Sequence, residues 1–194
     1  MSKYKNPGTF QPNQTWSLFL DRDGVINKRF IDRYVLSADE FEFIEGAVES
    51  IAGFSKVFGK ILVVTNQQGI GKGLMTNQDL EQIHDKMLNA IEQAGGRIDK
   101  IYHCPDLKEK HSFYRKPEIG MALNARKDFP DINFKKSVMV GDTISDMIFG
   151  KRMKMLTFFI GSDIQLIRDN YRIIDYNFVS LKEFATFVKI VSNT

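Results

Sequence analysis

Short runs that are apolar at consecutive positions are what most narrows the folds open to this chain. Leu18-Phe19-Leu20, Ile61-Leu62-Val63-Val64, Val138-Met139-Val140 and Phe158-Phe159-Ile160 are too short for buried helices and apolar on both faces. A strand apolar on both faces belongs in a sheet that is covered on both sides, the habit of parallel sheets. Strands are read at residues 16–20, 60–64, 98–103, 137–140 and 156–160, with a short last one at 177–179.

Helical spacing fills the intervals. Ala47, Ile51, Phe54 and Phe58 recur on one helical face, and Leu80, Ile83, Met87 and Ile91 on another. A third helix is expected from about Pro117, which suits a first turn, to Asp128. A fourth should follow Asp142, and a fifth should cover residues 181–191. Strand–helix alternation predicts an α/β fold, a doubly wound, mostly parallel sheet with right-handed crossovers. Ligands of such sheets sit beyond the carboxyl ends of the strands. Residues 1–194 read as one domain, with 1–15 a flexible N-terminal extension. Residues 28–43 and 105–114 lack periodicity and are candidates for substrate-facing loops.

Composition sets bounds. The chain is 43% hydrophobic and 26% charged, with a net charge of +3 and no dense basic block, so nothing in the charge calls for nucleic acid. Cys104 is the single cysteine, which rules out an intrachain disulfide and suits a reducing compartment such as the cytosol. Residues 1–14 have no apolar core of a secretory leader, and no apolar run approaches the ~20 residues that span a bilayer. No membrane partner is expected. The oligomeric state is left open, and a monomer would suffice.

Four polar motifs fall at the places where chemistry is expected. Asp21-Arg22-Asp23-Gly24-Val25-Ile26-Asn27 follows the first strand. Its two carboxylates can divide labour as nucleophile and acid–base, or they can be a solvated turn. Thr65-Asn66-Gln67-Gln68-Gly69 follows the second; a hydroxyl and backbone amides there can hold phosphate oxygens, or make a plain polar turn. Arg115-Lys116-Pro117 places two cations where a helix is expected to begin, which opposes the helix dipole unless an anion binds there. Gly141-Asp142-Thr143-Ile144-Ser145-Asp146 follows a further strand. Asp142 can complete a hard-oxygen site for Mg²⁺ with Asp21, or it can cap a helix with Asp146 one turn on. Together the four supply nucleophile, acid–base, hydroxyl, cation and metal carboxylate, the inventory of phosphoryl transfer.

With these motifs in this order the sequence resembles the haloacid-dehalogenase-like phosphatase superfamily. Within it the chain is most similar to the D-glycero-D-manno-heptose 1,7-bisphosphate phosphatases and the related histidinol-phosphate phosphatases. The narrower likeness rests on LFLDRDGVIN (18–27), EFEFIEGA (40–47), VVTNQQGIGKG (63–73), IYHCP (101–105), RKPEIGM (115–121) and VGDTISDM (140–147). The resemblance implies a Rossmann-like fold without a large cap domain. By matched position it makes Asp21 the nucleophile and a metal ligand. Asp23 becomes the acid–base with its backbone carbonyl on the metal, and Asp142 a further ligand. It gives Thr65, Asn66 and Lys116 the transferring phosphoryl group, and Asn27, Gln67, Gln68 and Arg115 the substrate. It also implies Mg²⁺ and a small phosphorylated substrate.

One departure stands out. Zinc-bearing members have Cys-x-His and Cys-x-Cys in the loop before Arg-Lys, where this chain reads Cys104-Pro105-Asp106 and Ser112-Phe113-Tyr114. Neighbouring His103 and Cys104 would point to opposite faces of a strand, so zinc is not expected. The favoured substrate is a heptose bisphosphate. Histidinol phosphate or another small ester is the alternative. Processing of a polynucleotide 3′-phosphate end and a non-enzymatic binding module are further readings.

Overall fold

The computed structural model describes residues 10–192. In chain order the elements are β1 (Ser17–Leu20), α1 (Ala47–Phe54), β2 (Lys60–Asn66), α2 (Gln68–Gly71), α3 (Asn77–Gln93), β3 (Lys100–Cys104), α4 (Gly120–Asp128), β4 (Ser137–Gly141), α5 (Ile144–Arg152), β5 (Leu156–Ile160), α6 (Ile164–Asp169), β6 (Tyr176–Phe178) and α7 (Leu181–Ser192). The six strands form one sheet in the order β3-β2-β1-β4-β5-β6, and every pairing is parallel.

The strands are apolar on both sides because both sides are covered. Leu18 and Leu20 of β1, Ile61 and Val63 of β2, and Val138 and Val140 of β4 pack on one face against Ile51 and Phe54 of α1, Ile83 and Met87 of α3, and Phe184 of α7. Phe19, Leu62, Val64 and Met139 point the other way, toward Met121 and Ala125 of α4 and Phe149 of α5. Helix starts are marked chemically. Thr76 and Asp79 close a capping box on α3, and Thr143 and Asp146 close one on α5. No helix among the described residues is long and apolar enough to cross a membrane.

Two expectations are corrected, and two short helices are added. The third helix begins at Gly120, not Pro117, so Arg115 and Lys116 lie in the turn before it and do not open a helix. The short helices α2 and α6 escape sequence periodicity because four and six residues cannot display it. The N-terminal segment is anchored from Phe10 onward. That ring is fully buried, meeting Trp16 edge-on at 5.3 Å and Phe158 at 5.0 Å, and stacking on Phe187 at 5.9 Å. The rest of the expected flexible extension, residues 1–9, lies outside the described residues.

The strand order reverses between β1 and β4. Crossovers leave in opposite directions there, which opens a crevice at the carboxyl ends of these strands. Asp21 and Asp142 are the first residues past β1 and past β4, and Thr65 and Asn66 end β2.

Candidate active site

The chain turns sharply after β1. Asp21 N–H still donates to Val140 of β4 at 2.9 Å, while the Arg22 carbonyl accepts from the amides of Val25, Ile26 and Asn27. Gly24 adopts φ +89°, and a Cβ built there would stand 2.1 Å from Asp142 Oδ2. Only glycine lets the two motifs approach this closely. The turn brings Asp23 over the sheet end, where its carboxylate is held by three neighbours. Arg22 Nη2 reaches both oxygens at 3.0 Å, Asn27 Nδ2 donates to Oδ1 at 2.9 Å and Gln67 Nε2 to Oδ2 at 2.7 Å. Burial pushes the Asp23 carboxyl upward, but Arg22 and these hydrogen bonds hold it below the usual carboxylate value.

Lys116 is the centre of charge. Wholly inside, its Nζ lies 2.9 Å from Asp21 Oδ1 and 2.6 Å from Asp146 Oδ1, and donates to the Val64 carbonyl at 2.7 Å. Burial alone would lower its affinity for a proton; Asp146 and Asp21 more than reverse that. Asn66 fixes the backbone behind it, accepting from Lys116 N–H at 3.0 Å and donating to the Lys116 carbonyl at 3.1 Å.

Asp21, Asp142 and Asp146 each offer an oxygen within 4.8 Å of the others. Burial, then the remaining carboxylates acting against Lys116, push Asp21 up to about 7. Burial and Asp146 push Asp142 up to about 6. Asp142 Oδ2 is paired with Arg29 at 3.1 Å, while buried Oδ1 has no hydrogen-bond partner among the described residues. Oxygens that crowd, repel and go unpartnered fit a hard divalent cation.

A cavity of ≈ 320 Å³ opens above this cluster, with Thr65, Asn66, Gln68, Arg115 and residues 29–35 among its walls. A wider cleft of ≈ 650 Å³ lies between α1 and α7, far from this chemistry. Gln68 donates to Tyr34 Oη at 2.5 Å, and Arg115 Nη1 donates to the Asp106 carbonyl at 3.0 Å. Of the expected substrate contacts, Asn27 is shut off from the cavity, while Gln67 lines it. Asn27 is fully buried and Gln67 nearly so, and both spend their amides on Asp23, with Gln67 also donating to Thr65 Oγ1 at 2.8 Å. In the loop before Arg115, Cys104 Sγ lies 3.7 Å from Asp106 Oδ2 and 3.9 Å from Ser112 Oγ. The His103 ring turns instead toward His84, 6.2 Å away.

The chain is similar in sequence and fold to known proteins. Residues 19–186 match the family described as Polynucleotide kinase 3 phosphatase. Over 91% of its length, and 97% of the relative's, the chain is 37% identical to the D-glycero-alpha-D-manno-heptose-1,7-bisphosphate 7-phosphatase of Campylobacter jejuni. The chain is a haloacid-dehalogenase-like phosphatase of the heptose-bisphosphate branch. The phosphatase is also 32% identical to the D-glycero-beta-D-manno-heptose-1,7-bisphosphate 7-phosphatase of Helicobacter pylori, over 92% and 99% of the two chains. Among solved structures it superposes on the D,D-heptose 1.7-bisphosphate phosphatase from B. bronchiseptica, complexed with magnesium and phosphate. The TM-score is 0.82 at 27% identity, covering 92% of this chain and 99% of that one.

Sequence reasoning passed over three site residues of the phosphatase. The sequence offers Asp142 as a helix cap with Asp146 one turn on; the cap is Thr143, and Asp146 is its capping-box partner and also the second carboxylate on Lys116. Its place four residues after Asp142, one helical turn on, was the available signal. Arg29 sits in an aperiodic stretch, and Arg22 stands in the first motif with no role that its sequence position assigns. Only folding reveals them.

Proposed function

We propose that the phosphatase hydrolyses D-glycero-D-manno-heptose 1,7-bisphosphate through an aspartyl-phosphate on Asp21. The carrying observation is Lys116, whose ammonium binds Asp21, Asp146 and the end of β2 at once. A lysine buried at this cost presents a fixed positive charge to a phosphoryl group arriving at Asp21, where it offsets the charge that develops on the equatorial oxygens. Thr65 and Asn66, beside it in the cavity wall, complete the cradle. Asp21 attacks phosphorus in line. Asp23 is ionised in the free protein. It takes a proton from a substrate arriving as the phosphate monoanion, passes it to the departing oxygen, and later takes one from the water that cleaves the aspartyl-phosphate. Arg115 and Gln68, which also line the cavity, meet the non-reacting part of the substrate.

Asp21, Asp142 and Asp146, with the Asp23 carbonyl, would hold Mg²⁺. When bound, the ion supplies neutralising charge shared by the nucleophile and the phosphate. Catalysis of this kind amounts to ~8–23 kcal/mol of barrier lowering, most of it positioning and electrostatics. Cys104, buried and free, suits a reducing cytosol.

The family description favours a second reading, a polynucleotide 3′-phosphatase. A cavity of ≈ 320 Å³ and a net charge of +3 favour the small substrate. The test is phosphate release from heptose bisphosphate in both anomers, histidinol phosphate and 3′-phosphorylated DNA, with Asp21→Asn as the blank. The sugar should lead in kcat/KM and Asp21→Asn should be inactive while folded. DNA turned over as efficiently as the sugar would reverse the assignment. More than a few per cent activity in Asp21→Asn would remove the covalent step.

A further inference from the structure

Arg22 stands between the two carboxylates of the first motif, and no step above uses it. Its side chain is completely buried. Besides the two contacts with Asp23, Nη2 reaches Gln67 Oε1 at 3.1 Å. Nη1 faces His84 Nε2 at 3.4 Å, while Nε finds no acceptor among the described residues. A guanidinium so buried is costly, and an apolar side chain of similar volume would fill the space for less. Filling space is therefore a poor account of it.

The geometry around Asp23 gives a better one. Asp23 accepts four contacts on two oxygens, so protonating a leaving group, or taking a proton from water, requires that one oxygen be released. Asn27 holds Oδ1 alone and Gln67 holds Oδ2 alone. Arg22 touches both from a single nitrogen, and so keeps its grip whichever oxygen is freed. Its own direction is set from outside the motif. His84 comes from α3, and burial followed by the nearby Arg22 charge lowers its pKa to about 3. Neutral at working pH, it can offer Nε2 as an acceptor. Its ring packs edge-on against His103 of β3.

We propose that Arg22, seated on His84 and Gln67, is the positioning residue that aims the acid–base carboxylate of Asp23 at the reacting oxygen. This rests on the role given to Asp23 above. The consequence is selective. Esters whose leaving oxygen needs a proton should depend on Arg22, and esters with an acidic leaving group should not.

The experiment compares kcat/KM for glycerol phosphate, p-nitrophenyl phosphate and 2,4-dinitrophenyl phosphate in wild type, Asp23→Asn, Arg22→Met and Arg22→Lys. Because kcat/KM covers events up to departure of the alcohol, hydrolysis of the aspartyl-phosphate does not blur it. Arg22→Met should lose about tenfold or more beyond its loss on the dinitrophenyl ester when assayed on glycerol phosphate, a fraction of what a general acid contributes. Arg22→Lys should fall between. Calorimetric affinities for Mg²⁺ and inorganic phosphate should stay near wild type, as a merely structural defect would not allow. Equal loss on all three esters in Arg22→Met, while Asp23→Asn stays selective, overturns the positioning role. If Arg22→Met does not fold, Arg22→Lys, which keeps the buried charge, decides by the same ratio. Equal loss across esters in Asp23→Asn itself would remove the acid–base reading, and this proposal with it.

Discussion

Gly24 is the smallest residue in the site and among the least replaceable. A methyl group there meets Asp142 Oδ2 at 2.1 Å and a backbone at φ +89° that L-residues resist. Gly24→Ala should cost about 1–2 kcal/mol of stability, yet reduce kcat/KM and Mg²⁺ affinity far more, because Asp142 must move. Urea melts beside kinetics and calorimetry check this, and wild-type turnover would show that Asp142 can be displaced without harm. The crowded carboxylates also make a pH prediction. Asp21 is raised from 3.8 to about 7 and Asp142 from 3.8 to about 6, burial first in both cases. Across that window the folded, metal-free protein binds more protons than the unfolded chain. Stability therefore falls as pH rises through it, and the loss is complete above about 7. Thermal melts in chelator should show Tm dropping between about pH 5 and 7.5, with Mg²⁺ flattening the slope. A metal-free Tm that climbs over this range would refute the assignment.

At the scale of elements, the loop between β3 and α4 carries its own prediction. Cys104 Sγ is met by Asp106 and Ser112, and His103 turns away from it, so the ligand set for a closed zinc site is not gathered there. Protein purified without chelator or metal-binding tag should contain well under one zinc per chain. Zinc near one per chain, lost together with stability in Cys104→Ser, would contradict this. The N-terminal segment carries another. Phe10 fills a pocket lined by Trp16, Phe158 and Phe187, so Phe10→Ala should cost about 3–5 kcal/mol in a urea melt with chemistry unaltered.

These elements also show how far the residues alone could be read. Leu18 to Leu20 and Val138 to Val140 announced buried parallel strands because both faces are covered, and the carboxylates directly after them marked the site. Phe10 was missed because a lone aromatic among polar neighbours has no period. Asn27 and Gln67 were placed near the site, but their direction depends on Asp23 and Arg22, which meet them only in three dimensions. The third helix starts late because residues 112–119 form turns that set Lys116 inward, an arrangement no helix-start rule encodes.

For the molecule as a whole, the strand order β3-β2-β1-β4-β5-β6 sets β1 beside β4, although some 120 residues separate them in the chain. A ribosome adding ~5–20 residues per second exposes that edge of β1 for seconds before its partner emerges. During that interval Asp21 and Lys116 can be present while Asp142 and Asp146 are not yet made. The nascent phosphatase therefore has no catalytic centre until the second half of the sheet docks. Until residues 137–141 are made, that β1 edge lacks its partner and is open to pairing with another strand.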